Sequence, residues 1–511
     1  MFDFISKFFV VKKIRRKINL KNKKVVVMGI GLHGGGVSMI KWLVQQGARV
    51  VATDKKTKED LASSLQKLNK LVKNKKIKLV VGRHRLDDFR SADLIIKNPS
   101  VPWTNTYIKL AKKNHIPVEM DSSLFFKLSP SRKIIGITGT KGKTTTSYII
   151  EAILKKAGKK TVMVGSGQIT VMDRLKLINK NTYVIFELSS WRLSALRRHK
   201  TSPRYAVVTN IYPDHLNYYK TMNGYIQDKL AIVKFQKKNN LAVLNYDDKE
   251  VREFAEETKA EVSFYSAKDK YSIIQDVYLE NGKIKYRTDN DDGTICAVNE
   301  LKMLGHHNVY NIMAATALAL RLRIPPKVIR SAVINFQGVS HRLEFVGKRG
   351  NKFAYNDSAA TTPESAVAGL DAFLDGAEVN NIYLIAGGSS KKLDMSILAD
   401  KIIQTPEVKK VVLLKGQAGE EIMELIKKSG QAQKVLAMVD NMPEAVDLLN
   451  REIERTEKKD MNNDKSQNKM EFITKDILLL SPGCASFGLF DNEFDRGRQF
   501  REEVKKVLKL K

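Results

Sequence analysis

The sequence predicts an α/β protein of three domains, and three observations carry that prediction. The chain has 511 residues, which corresponds to about three domains of ordinary size. Apolar strand-length runs alternate with helical spacing from residue 23 to the C-terminus, the pattern of parallel sheets covered by helices. The stretch GITGTKGKTTT, residues 136–146, places a glycine-rich turn between a strand and a helix.

The first residues, MFDFISKFFVVKKIRRK, form an extension over 1–20. On a helix Phe4, Phe8 and Val11 share one face, and Phe2, Ile5 and Phe9 another, ahead of Lys12, Lys13, Arg15, Arg16 and Lys17. The apolar-before-basic order is wrong for a secretory signal. The pattern fits peripheral contact with an anionic membrane surface, or simply a packed terminal extension.

The first domain spans 21–131. KKVVVMGIGLHGGG reads as a buried strand entering glycines, SMIKWLVQQ as a helix and GARVVATD as a second strand. Gly29, Gly31 and Gly34 match G-x-G-x-x-G, with Asp54 about twenty residues on, so a nucleotide diphosphate is expected at this turn. Strands over 92–100 and 116–121 continue the alternation.

The second domain spans 132–338. Backbone N–H groups of the 136–146 turn converge at a helix start, where the helix dipole adds positive potential, so a polyphosphate fits there. Lys143 reaches β/γ-phosphates and the Thr144 hydroxyl holds Mg²⁺ in such loops. Ile137 occupies the place of the first glycine in the strict motif, and Gly139 follows later. Strands are expected over 182–190, 205–210 and 241–245, then a small antiparallel insert over 261–300 with turns at Asn281-Gly282 and Asp292-Gly293. Residues 308–322 have helical spacing, stopped by Pro325-Pro326. Glu187, at a strand end downstream of the glycine turn, is placed to complete a metal site. His215, just past another strand, shares that sheet edge.

The third domain spans 339–511, with strands over 352–357, 381–388, 410–416 and 476–483. The polar stretch 455–470 is expected to be an exposed, mobile loop. No internal repeat appears beyond the three successive α/β units.

Net charge is +34, from 89 Lys and Arg against 55 Asp and Glu. The basic residues are spread along the chain, and no RNP-like, zinc-finger or heptad pattern accompanies them, so a nucleic-acid partner is not expected. No run of 18 apolar residues could span a bilayer. Cys296 and Cys484, the only cysteines, form neither a disulfide framework nor a zinc cluster and suit a reducing, cytoplasmic setting.

The series GITGTKGKTTT, ELSSWRL (187–193), PDHL (213–216), YIQDKLAI (225–232), GHHNVYN (305–311), HRLE (341–344), NDSAATTPES (356–365) and LLSPGCASFGLF…RGRQF (479–500) resembles the Mur ligase family, in order, over roughly residues 23–505. ELSSWRL and the SPGCASF…RG ending are most similar to the glutamate-adding member. The resemblance implies a UDP-binding Rossmann-like domain, a central P-loop-type ATPase and a C-terminal Rossmann-like domain. It implies ATP-dependent ligation of glutamate to UDP-N-acetylmuramoyl-L-alanine with two Mg²⁺ ions; a monomer is expected. Carried onto this chain, Gly139, Thr140, Lys141, Gly142, Lys143, Thr144 and Thr145 cradle ATP, with Lys143, His215 and Lys229 at the chemistry. Thr144, Glu187, His215 and Lys229 form the metal site, Lys229 as a carbamate. Asn311, Arg342 and Asp357 contact ATP; Gly29, Gly31 and Ser189 contact the UDP-sugar; Thr361, Lys391 and Ser486 bind glutamate. The chain departs from the family at Ala359, where a lysine is usual after NDS, at Ser390-Lys391-Lys392, where Asp-Lys-Gly is usual, and at Glu493-Phe494, where an aromatic usually follows the asparagine directly. All three lie in the third domain and leave open the enantiomer of glutamate, or another amino acid as in a related Mur or folylpolyglutamate synthase-like ligase.

Overall fold

A computed structural model describes residues 18–510 apart from 33, 167–169, 215, 269–275, 290, 304, 375–378, 391–392 and 464–474. The basic extension before residue 18, His215 and Lys391 lie outside the described residues. Two compact units make up the chain. One comprises residues up to Tyr278 with Tyr286–Asp291 and Ala314–Pro325; the other comprises Leu279–Lys285, Asp292–Met313 and Pro326–Lys511.

The first unit holds two parallel sheets. β1 (Lys24–Met28), β2 (Arg49–Thr53), β3 (Ile77–Val80), β4 (Leu94–Lys97) and β5 (Val118–Glu119) form a sheet of order β3-β2-β1-β4-β5, each neighbouring pair parallel. Both faces of β1 are covered: Val25 and Val27 enter one apolar cluster, Val26 and Met28 another. This is why the run KVVVM is apolar throughout rather than alternating. The second sheet contains β6 (Ile134–Thr138), β7 (Thr161–Val164), β8 (Tyr183–Glu187), β9 (Tyr205–Val208), β10 (Leu241–Asn245), β11 (Glu261–Ser266) and β12 (Val277–Glu280), in the order β12-β11-β10-β9-β6-β8-β7. β6, whose C-terminal end carries the glycine-rich turn, lies between β9 and β8.

Two local expectations are corrected. β12 pairs parallel with β11, so the segment after residue 261 extends a parallel sheet before it turns back. It does turn at Asn281-Gly282 into β13 (Lys283–Arg287), with both turn residues at positive φ. Asp292-Gly293 is not a turn: it opens β14 (Asp292–Ala297). The reversal lies earlier, where Thr288 N–H bonds the Asp291 carbonyl at 2.7 Å and the Thr288 hydroxyl accepts from Asp291 N–H at 3.1 Å.

The second unit carries β15 (Glu344–Arg349), β16 (Lys352–Asn356), β17 (Val379–Gly387), β18 (Val408–Leu414), β19 (Val435–Val439) and β20 (Lys475–Leu480), ordered β15-β16-β20-β17-β18-β19. Only β15 is antiparallel to its neighbour. Strand alternation divides the core: Ile477 and Leu479 face one cluster, Leu478 and Leu480 the other. The helix Met442–Asn463 corrects the polar loop expected over 455–470 as far as residue 463. Arg, Glu and Lys are strong helix formers, and Glu457 pairs with Lys352 at 3.1 Å, so a polar sequence here is the solvent side of a docked helix. Among the described residues no helix is long and apolar enough to cross a membrane.

Candidate active site

The glycine-rich turn needs glycine for two separate reasons. Gly142 caps the helix Lys143–Lys156 in the left-handed region, at φ 82°. Gly139 has no room for a side chain: a Cβ there would stand 1.8 Å from the Thr209 hydroxyl oxygen. The turn is pinned to the end of β9. Thr140 N–H bonds the Asn210 carbonyl at 2.9 Å, Lys141 N–H the Asn210 side-chain oxygen at 2.8 Å, and the Thr209 hydroxyl donates to the Lys141 carbonyl at 2.6 Å. Such anchoring fixes a helix N-terminus, whose N–H groups and dipole suit an anion. Lys143 Nζ donates to the carbonyls of Gly139 and Thr140 at 2.9 and 3.0 Å. Thr145 sits half-buried in the first helical turn.

Thr144 and Glu187 come together as expected: the hydroxyl donates to the carboxylate at 2.9 Å across the ends of β6 and β8. A hydroxyl and a carboxylate are hard oxygen donors that suit Mg²⁺, an ion that keeps several of its waters. Among the described residues no group of three or more His, Cys, Asp or Glu is gathered for a metal.

Lys229 lies on the helix Met222–Lys234 and is 1 % exposed. Its Nζ stands 4.7 Å from the Tyr225 ring centroid, and the Tyr225 hydroxyl lies 3.1 Å from that of Thr140, so Lys229 is layered behind the glycine-rich turn. Burial, then the charge of Lys143, drives its pKa well below the ordinary lysine value; Asp214 opposes weakly. Desolvation thus stabilises the neutral amine.

A cavity of about 690 Å³ opens at the C-terminal ends of β1, β2 and β4. Gly29 and Gly31 line it, and a Cβ at Gly29 would meet Asn98 Cβ at 2.6 Å. Asp54 does something the fingerprint does not imply. Its Oδ2 accepts Ile30 and Gly31 N–H at 2.8 and 3.1 Å, and its Oδ1 accepts Lys56 N–H at 3.0 Å; the carboxylate holds the glycine turn in shape. Ser189 is not on the cavity wall. It caps the helix Ser190–Arg198, while Trp191 and Arg192 reach the wall. Arg192 is braced by Asp121 at 3.0 and 3.1 Å and by the Gly165 carbonyl at 2.8 Å. Sequence reasoning missed Trp191 and Arg192 as wall residues, although both stand inside the ELSSWRL segment. A second brace binds the two sheets: Trp103 Nε1 donates to Ser194 Oγ at 2.7 Å, and Arg198 and the buried Lys97 stand 4.2 and 4.7 Å from its ring.

The second unit gathers a separate constellation at the ends of β16, β20 and β17. Arg496, fully buried, donates to the Ser358 hydroxyl at 3.0 Å, the Ser358 carbonyl at 2.9 Å and the Cys484 carbonyl at 3.3 Å, tying the NDS and SPGC segments together. Gly483 N–H bonds the Ala360 carbonyl at 3.0 Å, so Thr361 and the buried Ser486 share this edge. Ala485 forms a bridge with Ser389. Asp357 is buried: Oδ1 accepts Leu343 N–H at 3.2 Å and Oδ2 accepts the Ser481 hydroxyl at 2.9 Å. Burial pushes its pKa up to about 7. Arg342 is exposed at a turn whose flanking residues, His341 and Leu343, both have positive φ. Asn311 is buried beside Asn308, with Nδ2 to Oδ1 at 3.1 Å. Glu493 occupies the departure position with its carbonyl accepting from Ser358 Oγ at 2.7 Å, and Phe494 packs edge-on against His341 at 5.5 Å.

Known proteins match this chain over most of its length. The family "Mur ligase MurD-like, N-terminal domain" matches residues 23–119, "Mur ligase middle domain" residues 137–319 and "Mur ligase, glutamate ligase domain" residues 341–460. The UDP-N-acetylmuramoylalanine–D-glutamate ligase of Roseiflexus sp. (strain RS-1) is 36% identical over 494 residues, which cover 95% of this chain and 99% of the relative. The enzyme of the same name from Borreliella afzelii (strain PKo) is 35% identical, covering 95% and 98%. Among solved structures, the UDP-N-acetylmuramate-alanine ligase MurC of Thermotoga maritima aligns with a TM-score of 0.54 at 20% identity, covering 95% of this chain and all of that one. The MurF ligase of the same organism, solved with ADP, aligns at 0.52 and 16% identity, covering 96% of each chain. The chain belongs to the Mur ligase family and has its three-domain α/β fold.

Proposed function

We propose that this protein joins D-glutamate to UDP-N-acetylmuramoyl-L-alanine at the expense of ATP. The observation that carries the reading is the anchored turn 139–142, with Thr144 and Glu187 meeting at the strand ends beside it and a nucleotide-sized cavity in the same unit. A carboxylate does not react with an amine. Its attack on the γ-phosphorus breaks the bond to the β-phosphate oxygen, releases ADP and forms an acyl phosphate; the amine then attacks the carbonyl, loses a proton and expels phosphate. Phosphoryl transfer needs positioning and charge neutralisation above all. The turn N–H groups and Lys143 supply both for the nucleotide. Thr144 and Glu187 would hold Mg²⁺, which neutralises phosphate charge when bound, with His215 and Lys229 completing a two-ion site. Its surroundings support a carbamate on Lys229, because only the neutral amine adds CO₂ and burial beside Lys143 favours that form. The anion so formed offsets the Lys143 charge. Gly29, Gly31, Trp191 and Arg192 hold the UDP-sugar. Thr361, Lys391 and Ser486 hold glutamate, and Asn311 and Arg342 contact ATP. Asp357 acts from behind Arg342 by holding its turn.

The test is chromatographic identification of the product formed from ATP, Mg²⁺ and UDP-N-acetylmuramoyl-L-alanine with D- or L-glutamate offered separately. Ligation of D-glutamate with stoichiometric phosphate release is expected. Phosphate release only with a different amino acid or acceptor would move the assignment to a neighbouring ligase.

A further inference from the structure

The cavity at β1, β2 and β4 has two ends. Trp191 and Arg192, from the phosphate-turn side of the unit, line one; Asp54–Lys56 and His84, past the ends of β2 and β3, line the other. A substrate whose acid must reach ATP lies with its acid toward the first end and its nucleoside toward the second. At that second end most polar groups are already engaged. Both carboxylate oxygens of Asp54 accept backbone N–H groups. The Asn98 oxygen accepts the N–H and hydroxyl of Ser100 at 3.2 and 3.1 Å, and its nitrogen faces the Gly29 carbonyl.

His84 is different. Its ring is held edge-on to Tyr107 at 5.1 Å and to Phe89 at 5.9 Å, and the Tyr107 hydroxyl bonds its backbone carbonyl at 3.3 Å. Nδ1 lies 2.8 Å from the Thr53 hydroxyl, and that hydroxyl donates to the Arg83 carbonyl at 3.1 Å. A hydroxyl has one proton. With that proton on the Arg83 carbonyl, Nδ1 must be the N–H donor, and Nε2 is left with a lone pair. Burial first and the charge of Lys55 second lower the His84 pKa, against Asp54, so the ring is neutral and the lone pair is kept. Among the described residues Nε2 has no hydrogen-bond partner.

We propose that His84 selects the base of the nucleotide, its Nε2 accepting the N3–H of uracil, with Thr53 as the positioning residue that sets the tautomer. The proposal rests on the reading of this cavity as the uridine nucleotide site. Cytosine, unprotonated at N3, would set lone pair against lone pair.

The probes are UDP and CDP, titrated calorimetrically into the full-length protein and into His84→Gln, His84→Asn and Thr53→Val. Glutamine can place an acceptor where Nε2 stands; asparagine reaches only the Nδ1 position and keeps the contact with Thr53. The unmodified protein is expected to prefer UDP by roughly tenfold or more, about the worth of one hydrogen bond. His84→Gln should keep most of that preference. His84→Asn should lose it by binding UDP roughly tenfold more weakly, with CDP little changed. A preference that survives in His84→Asn, or that falls equally in both variants, overturns the proposal and leaves the cavity reading intact. An unmodified protein that binds neither nucleotide removes the cavity reading, and the proposal with it. Retained ATP binding shows that each variant is folded. Thr53→Val decides the matter independently of any change at residue 84: the UDP preference must fall although no group that touches the nucleotide has been altered, and an unchanged preference refutes the tautomer assignment.

Discussion

Replacing Asp357 by Asn should remove one source of pH dependence from the stability of the second unit. The carboxyl is buried, and the N–H of Leu343, the hydroxyl of Ser481 and the charges of Arg342 and Arg496 do not outweigh its desolvation, which moves its pKa from 3.8 to about 7. Between these values the folded chain binds a proton that the unfolded chain does not. Stability therefore falls as pH rises through that window, and is lowest above the folded value. A shift of roughly three pH units corresponds to about 4 kcal/mol as an upper bound; local relaxation and water penetration around the buried carboxylate bring the expected figure to about 2 kcal/mol. Asparagine is close to isosteric, accepts from Leu343 through its oxygen and donates to Ser481 through its nitrogen, without a titrating charge. All three tryptophans, Trp42, Trp103 and Trp191, lie in the other unit, so fluorescence would follow the wrong transition. Hydrogen exchange of the β16 and β20 amides, corrected for intrinsic rates, reads the right one. From pH 5 to pH 8 the unmodified protein should lose protection in these strands relative to Asp357→Asn. Parallel profiles for the two proteins would refute the placement of a buried proton on Asp357.

Four further outcomes are expected. Lys143→Ala should reduce phosphate release by at least a hundredfold, in the range of losing one transition-state charge contact, with the circular dichroism unchanged. Lys229→Ala should lower turnover strongly, and added bicarbonate should not restore it, whereas the unmodified enzyme depleted of CO₂ should recover on adding bicarbonate. Gly139→Ala forces a Cβ to within 1.8 Å of the Thr209 hydroxyl, and should raise the KM for ATP at least about tenfold by displacing the turn. Arg496→Lys removes a fork that reaches Ser358 and Cys484 together; denaturant unfolding should show a loss of about 2–4 kcal/mol, from charge-assisted bonds broken in a buried setting.

The architecture was legible because its strands are buried on both faces, and such strands read as unbroken apolar runs. KVVVM, IIGIT and LAVLN announce themselves by composition, and the glycines between strand and helix mark where the chain must turn. What was not legible is decided by tertiary contacts. The residues Asp292-Gly293 have turn chemistry, yet they pair as a strand, because the reversal is made by the Thr288–Asp291 contacts instead. The polar run after Arg455 lacks core residues, yet it is helical to Asn463: its residues are helix formers, and Glu457 pairs with Lys352.

The same limit applies to the lysines, and there the physics is sharper. With 89 basic residues, no spacing distinguishes Lys229 from a surface neighbour; only the family resemblance singled it out. The fold distinguishes it by desolvation. Lys97 shows that desolvation alone is not function: it is just as buried, with its pKa lowered to about 7 chiefly by burial, yet it donates to the carbonyls of Asn98 and Val101 at 3.3 and 2.9 Å and packs on Trp103. Its amine is consumed by structure. Lys229 has a ring below it and a second cation, Lys143, across the turn. Both amines feel a cation before any carboxylate, Arg198 for Lys97 and Lys143 for Lys229, so neither burial nor repulsion separates them; the carbonyls that the Lys97 amine holds do.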